Sequence, residues 1–139
     1  MKIEEQVLSI EQMKHLQELG VDTSDASMVW NCCDNKWYIL INNELTQGIV
    51  RVMKGTVSCF VPTYTIGDLI EKLPKSIDLG FGEYDLELSI KGEYVEVQYE
   101  SDYDDWTPFF CSNLSLIESL YSVLCWLAEN HKELLEVKK

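Results

Sequence analysis

The side chains able to do chemistry in this chain of 139 residues are five cysteines, two histidines and a run of carboxylates set among aromatics. Cys32-Cys33 first suggests a metal or redox pair, but adjacent residues of a strand point to opposite faces, so both reach one ion only where a bulge or turn breaks the strand. None of Cys32, Cys33, Cys59, Cys111 and Cys125 stands in a Cys-x-x-Cys pair, which removes the spacing of a zinc ribbon. An odd number of cysteines also argues against a secreted disulfide framework, so thiols, mostly buried, are expected. A nucleophilic cysteine needs a base, and His15 and His131 fall in helical segments with no cysteine partner close by in sequence.

The carboxylates carry more information. Hairpin pairing sets Asp85 opposite Glu100, with Cβ atoms ~5 Å apart and a cost of a few tenths to ~1 kcal/mol to the sheet. That separation suits a retaining glycosidase, yet such an enzyme needs a cleft, and an outward sheet face is not one. Asp102-Tyr103-Asp104-Asp105-Trp106 has acids at alternate positions but lacks the further oxygen ligands and glycine turn of a calcium loop. No metal, no cofactor and no catalytic residue are therefore assigned. The expectation for Tyr103 and Trp106 among these acids is a contact site, because aromatics inside a polar rim are what interface hot spots resemble.

Charge points the same way. The chain has 24 acids and 11 bases, a formal net charge of −13, and from Asp78 to Asp105 it holds ten acids against Lys91 alone. One segment thus supplies most of the field. The bases, ten lysines and Arg51, are scattered, whereas a protein that neutralises phosphates needs a basic stripe, so direct nucleic-acid binding is not expected. The opening Met-Lys-Ile-Glu-Glu-Gln is no secretory start and no apolar run approaches ~18 residues, which together lead to the expectation of a cytoplasmic protein that does not span a membrane.

The elements that must position these residues are legible in outline. Ser9-Ile10-Glu11-Gln12 has the form of a capping box, apolar Ile10, Met13, Leu16 and Leu19 follow at helical spacing, and Gly20 suits a left-handed stop, so a helix is predicted over 10–19. Met28 to Ile41 reads as a hairpin turning at Asp34-Asn35. That turn sets Met28, Trp30 and Cys32 against Ile41, Ile39 and Trp37 on a face predicted to be core, and leaves Val29, Asn31 and Tyr38 on a half-covered one. Two short strands are expected at 48–52 and 56–61, the second ended by Pro62. Thr65 then caps a short helix that Pro74 stops.

The clearest strand signal is a hairpin turning at Gly92-Glu93, which pairs Leu86 with Tyr99, Leu88 with Val97 and Ile90 with Val95 on the core face. Its outer face then pairs Asp85 with Glu100, Glu87 with Gln98, Ser89 with Glu96 and Lys91 with Tyr94; any one-residue slip would split the apolar sets. After a loop at 101–106 a strand is predicted over 107–111, and Ser115 opens a long helix with the stripe Ile117, Leu120, Tyr121, Leu124, Leu127, Ala128 and His131. A second row on that helix, Leu116, Val123 and Trp126, is either more buried face or a dimer seam. The whole is a single α+β domain over 1–139, an antiparallel sheet of hairpins packed against an N-terminal helix, a short middle helix and a long C-terminal helix.

Leu8-Ser9-Ile10-Glu11-Gln12 running to Leu19-Gly20-Val21-Asp22, the segment Pro62-Thr63-Tyr64-Thr65-Ile66-Gly67-Asp68-Leu69-Ile70-Glu71-Lys72-Leu73-Pro74, and Ser119-Leu120-Tyr121 through Trp126-Leu127 together resemble small proteins carried by phages, prophages and mobile elements of gut Bacteroides-type bacteria. The resemblance spans most of the chain, but its motifs are caps and apolar rows. It implies a bacterial cytoplasmic setting and a mobile-element origin and brings no activity with it.

The function expected is that of a noncatalytic accessory protein that binds a basic protein partner through its acidic hairpin and loop, with Asp85, Glu87, Glu96, Glu100, Asp102, Tyr103, Asp104, Asp105 and Trp106 at the contact, in one version as a mimic of DNA. Charge at such a surface supplies steering more than affinity. The alternatives are a small hydrolase or transferase with a carboxylate-based pocket, and a structural subunit self-associating through the C-terminal helix, the chain being monomer or homodimer accordingly.

Overall fold

Ser9 caps the first helix as its sequence promises. In the computed structural model, which describes residues 5–33, 35–43 and 57–135, Ser9 Oγ accepts from the Gln12 amide at 3.1 Å and Gln12 Oε1 accepts from the Ser9 amide at 2.9 Å. Helix α1 (Ile10–Glu18) buries Met13 and Leu16. It ends in a Schellman motif, with Gly20 at φ 91°, its amide donating to Gln17 O and that of Val21 to Leu16 O, both at 3.0 Å.

The chain divides into two compact units, Met1–Asp68 and Leu69–Lys139. In the first, strands β1 (Met28–Cys33), β2 (Lys36–Ile41) and β3 (Val57–Thr63) form an antiparallel sheet in the order β2-β1-β3. The hairpin register is the expected one, with Met28 opposite Ile41, Trp30 opposite Ile39 and Cys32 opposite Trp37. The burial is not. Leu8 O accepts from Trp30 Nε1 at 2.9 Å and from Thr63 Oγ1 at 2.7 Å, so the cover on that face lies over β1 and β3, and on edge strand β2 Trp37 and Ile41 stay exposed. On the opposite face Val29 and Asn31, expected to be half covered, are buried. The Asn31 amide has both Oδ1 and Nδ2 without a hydrogen-bond partner.

The strand expected at 48–52 lies outside the described residues. β3 runs through Pro62 instead of stopping there, since an edge strand tolerates the missing amide. Helix α2 (Ile66–Lys72) opens on a reciprocal cap: Asp68 accepts from the Thr65 amide at 3.0 Å and donates its own amide to Thr65 Oγ1 at 3.1 Å. The same Asp68 carboxylate accepts from Ser27 N and Oγ at 3.0 and 2.7 Å, which ties the helix start to the segment before β1.

The second unit holds β4 (Ser76–Asp78), β5 (Glu83–Lys91), β6 (Tyr94–Ser101) and β7 (Asp104–Asn113) in simple sequential order. Every pair expected of the β5–β6 hairpin is present, and Gly92 supplies φ 62° at the turn. Helix α3 (Leu116–Asn130), capped by Ser115 Oγ accepting from the Glu118 amide at 3.3 Å, packs on β6 and β7. Its Trp126 ring sits 5.3 Å from Phe109 and 6.1 Å from Tyr99. A 3-10 turn over Lys132–Leu135 follows it.

β4 is too short to leave a pattern in sequence, and β7 begins at Asp104, not at 107, because the connection between β6 and β7 is only the Asp102-Tyr103 turn, closed by Ser101 opposite Asp104. The class is α+β, and the described strands form two antiparallel sheets in place of one.

The orphaned amide of Asn31 makes a stability test. An apolar side chain removes two buried unpaired polar groups, so Asn31→Leu is expected to raise the unfolding free energy in urea by about 1 kcal/mol, whereas Asn31→Asp, which buries a charge, lowers it by several kcal/mol.

Candidate functional site

Two short connections at one end of the second sheet build a groove. The β4–β5 connection is held tight by Asp78 Oδ1 accepting from the Gly80 amide at 2.8 Å and by Leu79 N donating to Gly82 O at 3.0 Å, with Gly80 at φ 92°. At Gly82 a Cβ would meet the Tyr84 hydroxyl at 3.1 Å, so a side chain there would crowd the buried ring beside it. The loop thereby presents Phe81, 69% exposed, with its ring 5.5 Å from Trp106 and 6.3 Å from Tyr84. Opposite, the Asp102-Tyr103 turn is braced by the Tyr103 amide donating to Ser101 Oγ at 3.1 Å, and Tyr103 stands 99% exposed.

Between them lies an open cavity of about 370 Å³, lined by Phe81, Gly82, Glu83, Asp85, Ser101, Asp102 and Tyr103. Three carboxylates and two exposed rings thus share one concave surface. Such a surface attracts a cationic side chain in two ways, by charge and by the negative faces of the rings.

The structure brings some of the expected contact residues together and separates others. Asp85, Asp102 and Tyr103 line the groove, and Trp106 backs its Phe81 wall. Glu100 lies opposite Asp85 and accepts from Gln98 Nε2 at 2.9 Å, a same-strand amide that satisfies one carboxylate oxygen of the like-charged pair. Glu87 and Glu96 are further along the outer face, on either side of the Ser89 and Gln98 positions, Glu87 exposed and Glu96 half-buried. Asp104 and Asp105 begin β7 instead of standing in a loop. The sequence pairing begins at Asp85, so it does not reach Phe81 in the β4–β5 connection or Glu83 at the first position of β5. The signal was available as Gly80-Phe81-Gly82, an apolar residue between two glycines and hence at a turn.

In the row Leu116, Val123 and Trp126, Val123 has no exposed surface, Trp126 is half-buried and contacts Tyr99, Phe109 and the His131 ring at 5.0 Å, and Leu116 is half-buried. Val123 and Trp126 thus belong to the packing face of the helix. Among the cysteines, Cys32, Cys111 and Cys125 are thiols, and the register of β1 with β3 shifts between Cys32 and Cys33. His15 lies 3.9 Å from Glu18, and His131 the same distance from Glu133. Among the described residues no three His, Cys, Asp or Glu side chains are grouped to hold a metal ion, and no helix is long and apolar enough to cross a membrane.

No family model, curated protein or solved structure matches the chain.

Burial pushes the Cys125 thiol above the ordinary thiol range, and the nearby Glu129 carboxylate adds to this while the Tyr121 hydrogen bond works against it. A raised value leaves less thiolate at neutral pH. Alkylation of Cys125, followed by peptide mass spectrometry, is therefore expected to be slow at pH 7 and to have its midpoint above the ~8.5 of an unperturbed thiol. Fast labelling at pH 7 contradicts this.

Proposed function

We propose that the second unit is a noncatalytic docking module for a basic segment of a partner protein, with the groove between the β4–β5 connection and the Asp102-Tyr103 turn as its anchor. The observation that carries this is the convergence of Glu83, Asp85 and Asp102 with the exposed Phe81 and Tyr103 on one concave surface. The large exposed rings would be left in water unless something covers them, and the carboxylates define the sign of what covers them.

The rest of the outer sheet face extends the same field. Glu87, Glu96 and Glu100 continue from the groove along β5 and β6, with Lys91 as the one base on that face at its far end. A lysine- or arginine-rich segment laid along this face would meet charge throughout and an aromatic pocket at one end. Long-range attraction would speed its arrival, and the buried contact at the rings would set its lifetime.

The test separates this groove from mere net charge. A triple reversal, Glu83→Lys, Asp85→Lys and Asp102→Lys, is compared with a reversal of the same size on the first unit, Glu5→Lys, Glu11→Lys and Glu18→Lys, in binding to a fluorescent lysine-rich peptide at ~50 mM and ~500 mM salt, where exposed-charge attraction is screened within ~4 Å at the higher value. The expected result is loss of binding in the groove variant at least tenfold beyond that in the control, and loss of most binding on Phe81→Ala at ~150 mM salt. Equal losses in both reversals would reduce the acidic face to a solvated surface.

A further inference from the structure

Among the described residues nothing pairs with the edge of β5 beyond its first residues, and its sequence is complementary to itself. β4 pairs only with Glu83–Asp85, and Leu86 N donates to Lys75 O at 2.9 Å. Before that point the chain leaves the edge, since Pro74 O accepts from Tyr99 Oη at 2.7 Å and Tyr99 belongs to the helix-covered face. The Gly92-Glu93 turn is closed by Lys91 opposite Tyr94, so Lys91, Ser89 and Glu87 aim their backbone groups at β6. Leu88 and Ile90 aim theirs the other way, across the open edge. Their side chains are also exposed, at 41% and 83%.

We propose that a second copy of this chain covers that edge, β5 pairing antiparallel with β5 of the other copy about a two-fold axis through Ser89. The five residues Glu87-Leu88-Ser89-Ile90-Lys91 read acid, apolar, small, apolar, base. Reversed against themselves they place Glu87 opposite Lys91 of the second copy and Leu88 opposite Ile90 of the second copy, with the two serines facing each other. The Leu88 and Ile90 pairs then exchange the backbone bonds that are open in one copy, and opposite charges lie in register on the outer face. This is an isologous contact and it closes.

The neighbouring registers fit worse. Centring the axis on Leu88 would run the second copy into the lane held by Ser76 and Lys75, and centring it on Ile90 would set Glu87 against Glu93 of the second copy. In the Ser89 register the overlap ends at Lys91 of the second copy, and its chain turns away at Gly92, near the point where β4 begins to occupy the edge. The contact joins two four-stranded sheets into one and places both acidic outer faces side by side. Each copy carries −13, so the dimer is expected to be concentration-dependent and to strengthen as added salt screens the overall repulsion.

Sedimentation equilibrium and cysteine cross-linking test this on the full chain. The wild type is expected to rise from 16.1 kDa towards twice that mass with concentration. Ile90→Lys, at an exposed position, is expected to stay monomeric with an unchanged circular-dichroism spectrum. Facing residues in a non-hydrogen-bonded antiparallel pair have Cα atoms ~4.5 Å apart, within disulfide reach, so Ser89→Cys should form a covalent dimer on mild oxidation well beyond the background from the native thiols. Glu87→Cys alone should not, and should do so when mixed with Lys91→Cys. A wild type that stays at 16.1 kDa at every concentration, a dimer that survives Ile90→Lys, or Glu87→Cys cross-linking alone as fast as Ser89→Cys overturns the proposal. The groove variants leave this edge untouched, so loss of peptide binding and loss of the dimer are separate outcomes.

Discussion

The register of the β5–β6 hairpin is the constraint from which the surfaces of the second unit follow. Side chains alternate along a strand, so a slip of one residue would split the two apolar sets between faces, carrying the acids of one strand, Asp85 and Glu87 or Glu96 and Glu100, to the face that α3 covers and that strand's apolar residues into water. The cost of burying unpaired carboxylates makes that alternative inaccessible. Gly92, in the left-handed region, lets the chain turn in two residues, and the apolar pairs do the rest. The acidic outer face, the carboxylate wall of the groove and the outward backbone groups of Leu88 and Ile90 are all consequences of this single alignment.

Packing on the other face converts that alignment into a rigid platform. Trp126 on α3 lies over Tyr99 and Phe109, neighbours across β6 and β7, so the helix clamps the strands whose opposite face carries the acids. Tyr99, buried, also donates to Pro74 O, which draws the chain before β4 off the sheet edge. One aromatic thus joins the core to the open edge of β5. In the first unit Leu8 O plays a comparable part, taking hydrogen bonds from Trp30 on β1 and Thr63 on β3. Both units show a sheet ordered from beneath by a few long-range contacts, while their edge strands keep exposed apolar side chains.

Several elements were legible because local chemistry decides them. The Ser9 capping box, the Gly20 stop, the Thr65–Asp68 cap and both hairpin registers need only residues within a few positions, or a turn and an alternation, and each is present as expected. The misreadings share a different cause. Which face of β1 is buried, whether Pro62 ends a strand or lies within it, and where β7 begins all depend on which neighbour lies beside a strand. Proline is tolerated on an edge, and among the described strands β3 is an edge, a fact of sheet order that the pattern around Pro62 does not contain. Three-residue β4 is likewise created by its partner β5 and has no pattern of its own.

The same division runs through the candidate site. Composition and alternation alone placed Asp85 opposite Glu100, put the acids on one face and marked Tyr103 and Trp106 as aromatics among them, because charge and side-chain periodicity are properties of the chain itself. The groove belongs to the tertiary structure. Phe81 and Asp102 are distant in sequence and meet only because antiparallel pairing brings the start of β5 beside the end of β6, where the connections at that end of the sheet face each other. Openness, too, was decided there: Trp126, in the row on α3 that sequence left as either core or seam, packs on Tyr99 and Phe109, whereas Leu88 and Ile90, whose alternation assigns them to the core face, remain exposed. Periodicity tells which way a side chain points, and only the folded chain determines whether anything is there to meet it.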